Sequence, residues 1–149
     1  MTGVEIDFVV SDSRQALPFY EKVFGVEKVE ATSFDQGMNE AVFTLYGTRF
    51  HMLDANPQYG LVAPDPKQPS PIWINIMVED IKATFDKALE NGCTAVQPVN
   101  HIANMGVSNA VILDPFGHQW LLHQMHRVVS FEEREQMFKD MLADQDKTE

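Results

Sequence analysis

Three of the chain's five histidines fall between Asp114 and His126, in the run DPFGHQWLLHQMH. Crowded imidazoles can bind a metal, activate water or carry protons. Spacing pulls these three apart. The segment HQWLLHQ follows a turn signal and is rich in Trp and Leu, so it reads as a strand. His118 and His123 stand an odd number of residues apart, which puts them on opposite faces of that strand. At roughly 3.3 Å per residue they are also about 17 Å apart along it, far beyond metal bonds of about 2 Å. His126 lies a further odd step along, near the strand's end. His118 becomes the first residue after a turn: Pro115 presets the turn's φ and Gly117 supplies a positive one. It is expected to be exposed and without a chemical role.

The elements that position the other polar residues repeat. IDFVVSDSRQALPFYEKVFGVEKV resembles INIMVEDIKATFDKALENGCTAV at an offset of about 68 residues, and such repeats bear directly on fold. Each copy starts as an apolar strand and reaches Asp12 or Asp80 as a helix N-cap. Each then carries apolar residues at helical spacing and stops at Gly25 or Gly92. GMNEAVFTLYGTRFHML lines up with GVSNAVILDPFGHQWLL, so both copies read strand, helix, strand, strand, strand. The expected organisation is a first βαβββ module over 1–54, a proline-rich linker over 55–71 and a second module over 72–126. Residues 127–149 form an amphipathic helix and acidic tail, begun by a capping box of Ser130 and Glu133. Phe131, Phe138, Met141 and Leu142 give that helix an apolar edge for the body or for a partner subunit.

Period two then sorts the strand residues into faces. Ile6, Phe8 and Val10 oppose Glu5 and Asp7; Phe50 and Met52 oppose Arg49 and His51. Ile74 and Ile76 oppose Trp73, Asn75 and Met77, and Trp120 and Leu122 oppose Gln119, Leu121 and His123. The wholly apolar faces suit a helix-covered interior. The mixed faces do not suit a dry core, since an unpartnered buried polar group costs about 1–3 kcal/mol. Either a wet ligand cleft or a self-satisfied polar network, with Arg49 beside Glu5 and Asp7, accounts for them.

The duplicated pattern, the D…FY…FG run of Asp12, Phe19, Tyr20, Phe24 and Gly25, and DPFGHQW resemble the vicinal oxygen chelate superfamily. That group includes glyoxalase I, extradiol dioxygenases and bleomycin-resistance proteins. DPFGHQW is most similar to the phosphonate-operon-type branch, whose demethylubiquinone methyltransferase-like label finds no support in a glycine-rich nucleotide loop. The resemblance spans Val4 to about His126. It implies an α+β fold: two tandem βαβββ modules making an eight-stranded, curled, mixed-sheet pair of half-barrels, with helices outside, a cleft inside and a C-terminal helix. It also implies a homodimer.

In metal-using members of the superfamily four inward positions supply ligands, and the resemblance maps them to Glu5, His51, Trp73 and Leu121. Two of these cannot ligate, so no metal or other cofactor is expected. The alternative is a divalent ion held by Glu5 and His51 with Asp7 or His123 as a third ligand. Glu5 and His51 are the best catalytic candidates, a carboxylate orienting an imidazole for acid–base work, and a plain cleft-solvating pair is the other reading. The cleft is expected to be lined by Glu5, Asp7, Arg49, His51, Trp73, Asn75, Met77, Gln119, Leu121 and His123. Trp73 serves there as a stacking platform or as core. His101 reads as a surface loop residue or a lid over that cleft.

Composition narrows the function classes. A net charge of −11 argues against nucleic-acid binding, which needs clustered Lys and Arg. One cysteine, Cys93, permits no internal disulfide and suits a reducing cytoplasm; it is expected to be packed and inert. No run reaches membrane-spanning length, and no serine, cysteine or aspartate sits in a nucleophile motif. Three functions compete: a metal-free binder of a small aromatic or cationic molecule, a metal-dependent lyase, isomerase or dioxygenase, and a structural protein that has lost its site.

Overall fold

A computed structural model of the chain describes residues 1–148. The first module contains β1 (Ile6–Val10), α1 (Ser13–Phe24), β2 (Glu27–Ala31), β3 (Glu40–Leu45) and β4 (Thr48–Asp54). The second contains β5 (Ile74–Met77), α2 (Ile81–Glu90), β6 (Thr94–Ile102), β7 (Val107–Leu113) and β8 (Gln119–Met125), and α3 (Phe131–Asp146) follows. Local chemistry sets the helix ends. The Asp12 carboxylate accepts from the Arg14 and Gln15 amides, and Asp80 accepts from Ala83, satisfying donors that a helix start leaves free. Gly25 closes α1 in the left-handed region, at φ 71°.

The two sheets have equivalent orders, β1-β4-β3-β2 and β5-β8-β7-β6. In each the first strand runs parallel to the last, pairing Ile6 with Phe50 and Ile74 with Trp120, and the other pairings are antiparallel. This is the expected α+β fold of two tandem βαβββ modules with a C-terminal helix, and neither sheet closes into a barrel.

The interior differs from the expectation of helices outside and a cleft within. Phe8, Phe43 and Phe50 on the apolar face of the first sheet join Ile76, Ala110, Ile112 and Trp120 of the second in one core. α1 packs on its own sheet through Tyr20, whose ring centroid lies 5.8 Å from Phe8. On the other side Tyr20 and Phe24 reach Trp120, at 5.6 and 4.4 Å. Both apolar faces therefore look towards the helices between them. Since strand side chains alternate, both mixed faces turn outward, away from each other. Burying one large apolar side chain stabilises by roughly 1.5–3 kcal/mol, so the larger apolar contact decided which way the modules met.

DPFGHQW is the joint between the modules. Asp114, 4% exposed, accepts on Oδ2 from the Tyr20 hydroxyl (2.5 Å) and from the Trp120 indole (2.8 Å). Its Oδ1 accepts the Phe116 and His118 amides and so closes the hairpin turn. His118 is not the exposed residue expected. It is half-buried, edge-on to Phe8 at 4.8 Å, and its Nε2 donates to the Val9 carbonyl at 2.7 Å. The linker closes over this hairpin: at Gly117 (φ 91°) a Cβ would come within 2.8 Å of the Pro64 carbonyl oxygen.

α3 begins as expected, the Ser130 hydroxyl accepting from the Glu133 amide at 3.1 Å. None of its residues is buried, and Phe131, Phe138, Met141 and Leu142 are all exposed. Among the described residues, no helix is long and apolar enough to cross a membrane.

Candidate functional site

On the first outward face β1 and β4 lie side by side, with Asp7 opposite His51. Glu5 stands just before β1. Arg49 forms an ion pair with Glu5 Oε2. The His51 ring is the centre of the cluster: its Nε2 lies 3.0 Å from Glu40 Oε2, and its Nδ1 lies 3.5 Å from both Glu5 Oε1 and Asp7 Oδ1. Carboxylates accept hydrogen bonds, so Nε2 donates to Glu40. Its Nδ1 faces two further carboxylate oxygens, those of Glu5 and Asp7. Three carboxylates surround one imidazole, and one guanidinium offsets them. Val42, paired with His51 across β3 and β4, forms a buried apolar floor.

The second outward face has the same registers and different chemistry. Asn75 lies opposite Leu121, and Met77 opposite His123. His123 Nδ1 donates to Asn75 Oδ1 at 2.8 Å. Partial burial lowers the His123 pKa from the ordinary 6.5, so the ring is neutral at neutral pH and its Nε2 presents a lone pair. Val111, opposite Leu121, is the buried floor here. Asn109 sits across from His123, and its Oδ1 is buried without a hydrogen-bond partner. A buried acceptor left unsatisfied costs about 1–3 kcal/mol. Gln119 and Leu121 are half-buried, Met77 is exposed, and Trp73, one residue before β5, is 50% exposed. Trp73 is therefore not a core residue.

The structure gathers Glu5, Asp7, Arg49 and His51 on one side and Asn75, Met77, Gln119, Leu121 and His123 on another. Among the described residues, no hydrogen bond or ion pair joins the two sets. Within one chain the two sets lie on separate faces, and of the residues expected to line one cleft only Asn75 and Met77 reach the groove between the modules. Glu40 and Asn109 were missed. Both follow from register: Glu40 is two residues from Val42, opposite His51, and Asn109 faces His123. His101 is no lid, since it lies in β6 and bonds to Ser108. Cys93 is buried, and burial with nearby Asp114 pushes its thiol up to about 12, so it is inert at neutral pH. A groove of about 610 Å³ follows the seam where Ile6 and Phe50 approach Ile74 and Met77. It touches Asn75 and excludes Glu5, Asp7 and His51.

Residues 4–122 match the model of the Glyoxalase/Bleomycin resistance protein/Dioxygenase superfamily. The chain belongs to this superfamily. An uncharacterised protein of Mycobacterium bovis is 32% identical to this superfamily member over 129 residues, covering 84% of each chain. Among solved structures, the fosfomycin resistance protein FosX of Listeria monocytogenes, complexed with Mn(II) and sulfate, has the same fold. Its TM-score is 0.66 at 15% identity, covering 93% of this chain and 98% of that one. TioX from Micromonospora sp. ML1 superimposes with a TM-score of 0.60 at 15% identity, over 87% of this chain and 100% of that one.

Metal use in the superfamily makes donor geometry worth testing. Glu5, Asp7 and His51 each offer one donor atom, all within 4.8 Å of one another. Two carboxylates and an imidazole fit a hard or borderline divalent ion, and Glu40 on the far imidazole nitrogen is the kind of partner that orients a ligating histidine. Trp73 and Leu121, at the ligand positions implied for the second module, offer no donor.

Proposed function

We propose that the protein binds a small cationic molecule, one carrying an amine, between the first-module face of one copy and the second-module face of another. The observation that carries this reading is the His51 cluster, where Glu5, Asp7 and Glu40 leave an exposed face with excess negative charge. An ammonium group would pair with the carboxylates of Glu5 and Asp7 beside the ring. Asn109 Oδ1 and the His123 lone pair offer acceptors, while Met77, Leu121 and Trp73 offer apolar and aromatic cover. Because the faces of one chain point apart, this reading encloses the ligand with a second copy, as a homodimer would. The DPFGHQW run supports placement in the phosphonate-operon-type branch, and the buried, unpaired Cys93 suits a reducing cytoplasm.

Thermal-shift and calorimetric screening against benzylamine, tyramine and aliphatic diamines tests the reading, with sedimentation giving the mass. The expected result is a dimer stabilised by an aromatic amine, with Asp7→Asn weakening binding. A monomer, or a panel in which neutral and anionic analogues bind as well as amines, would overturn it.

A second reading has its own observation, the convergence of Glu5, Asp7 and His51 donor atoms. A divalent ion held there would supply Lewis-acid polarisation of a substrate oxygen, as in a lyase, isomerase or dioxygenase. Glu40 would fix the imidazole, and Arg49 would hold Glu5 in place and offset its charge. Stoichiometric, chelator-removable metal in the purified protein, lost in His51→Ala, would favour this reading over the first.

A further inference from the structure

We propose that His101, Ser108 and His126 form a separate site for a borderline transition-metal ion such as Zn²⁺ or Cu²⁺. His101 lies directly opposite Ser108 across β6 and β7. His126 follows β8, and its amide bonds to the Gly106 carbonyl beside Ser108. The Ser108 hydroxyl is buried and touches both rings: His101 Nδ1 at 3.0 Å and His126 Nε2 at 2.8 Å. The ring centroids are 4.9 Å apart.

Two imidazole nitrogens, one from β6 and one from the segment after β8, thus aim at one oxygen. A hydroxyl has a single proton, so it donates to one ring and accepts from the N–H of the other. An ion needs the same convergence with both lone pairs turned inward, which a neutral imidazole achieves by moving its proton to the other nitrogen. With bonds of about 2.0–2.1 Å from each nitrogen and from Ser108 Oγ to one tetrahedral ion, each N···O separation becomes about 3.3 Å, so the rings need open from the hydroxyl by only roughly 0.5 Å. Both His101 and His126 are exposed, so the rings have solvent beside them in which to shift. The Ser108 hydroxyl and water complete the coordination. Arg127, next to His126 in the chain, is turned to another partner, its Nη2 donating to the Asn104 carbonyl at 2.9 Å. Ser108 alternates with Asn109, so this cluster points away from the amine-binding face and is independent of it.

Titrating Zn²⁺ and Cu²⁺ into the His51→Ala protein isolates this cluster from the first-module face. The expected result is one ion per chain and a Cu²⁺ paramagnetic resonance spectrum with coupling to two imidazole nitrogens. His101→Gln and His126→Gln keep a hydrogen-bonding group beside Ser108. Each should weaken binding by about tenfold or more with little change in melting temperature. Absence of saturable binding in the His51→Ala protein would overturn the proposal. So would an isotherm and spectrum that both glutamine variants leave unaltered.

Discussion

The two outward faces of this molecule share strand order, register and a buried valine floor, yet their chemistry differs position by position. Asp7 on the first corresponds to Asn75 on the second, His51 to Leu121, and Glu5 to Trp73. The first face is charged, with His51 held among carboxylates. The second is neutral, with His123 turned to Asn75 and Asn109 left with a free buried acceptor. A duplicated fold fixes where side chains project and leaves their chemistry open. On the proposed reading the first face recognises charge, and the second recognises shape and hydrogen-bond donors.

The largest expected effect lies in the frame that both faces rest on. Asp114→Ala leaves the buried Tyr20 hydroxyl and Trp120 indole without an acceptor, and at about 1–3 kcal/mol for each stranded donor should cost about 2–5 kcal/mol in urea unfolding. A loss under about 1 kcal/mol would show that the modules hold together without it.

The faces themselves should separate next. Asp7→Asn should weaken amine binding about tenfold, or about 1.4 kcal/mol, by removing a charge-assisted contact. Asn75→Ala should cost about threefold or less, in line with a neutral hydrogen bond. Calorimetry giving the reverse order would exchange the roles of the faces.

The smallest effects are in pH dependence. Burial alone would raise the pKa of Asp54, but the amides of Ser13, Gly37 and Asn39 outweigh it and hold the carboxylate below its ordinary 3.8. The unfolded chain then takes up the proton first. Stability from Asp54 is complete above that value and is lost as pH falls through the folded pKa. His123, lowered from 6.5 by burial, has the same sign in a higher window. Stability that depends on its neutral form declines once pH falls below 6.5, and more weakly because the ring is half exposed. Melting curves of His123→Gln should lose the decline that begins near pH 6.5, and those of Asp54→Asn the acid limb. An unchanged profile in either variant would remove the assignment.

Much of this architecture is legible in the sequence because it follows from local rules. Asp12 and Asp80 mark helix starts, and Phe8, Met52 and Trp120 take the apolar side by simple alternation. The direction in which the modules meet is not local. Alternation separates an apolar face from a mixed one, but both a helix-lined core and a ligand-lined cleft satisfy it. The contact of Tyr20 and Phe24 with Trp120 decided between them. His118 was misplaced for the same reason: its partner, the Val9 carbonyl, lies 109 residues away in sequence. Glu40 and Asn109 needed strand register, which period two does not supply. The pairing of His101 with His126 needed the return of the chain past Gly106.

Subunit complementation tests the shared site most directly. Asp7→Arg places a like charge against the amine on the first face, and Leu121→Arg places repulsion on the neutral one. Each variant alone should fail to bind the amine that most stabilises the native protein. Unfolding and refolding the two together makes mixed dimers in which one site joins an intact first face from one chain to an intact second face from the other. Calorimetry should then show binding restored at about a quarter of the sites, as random reassortment of two subunits requires. A refolded mixture that forms mixed dimers and still binds nothing would contradict the account.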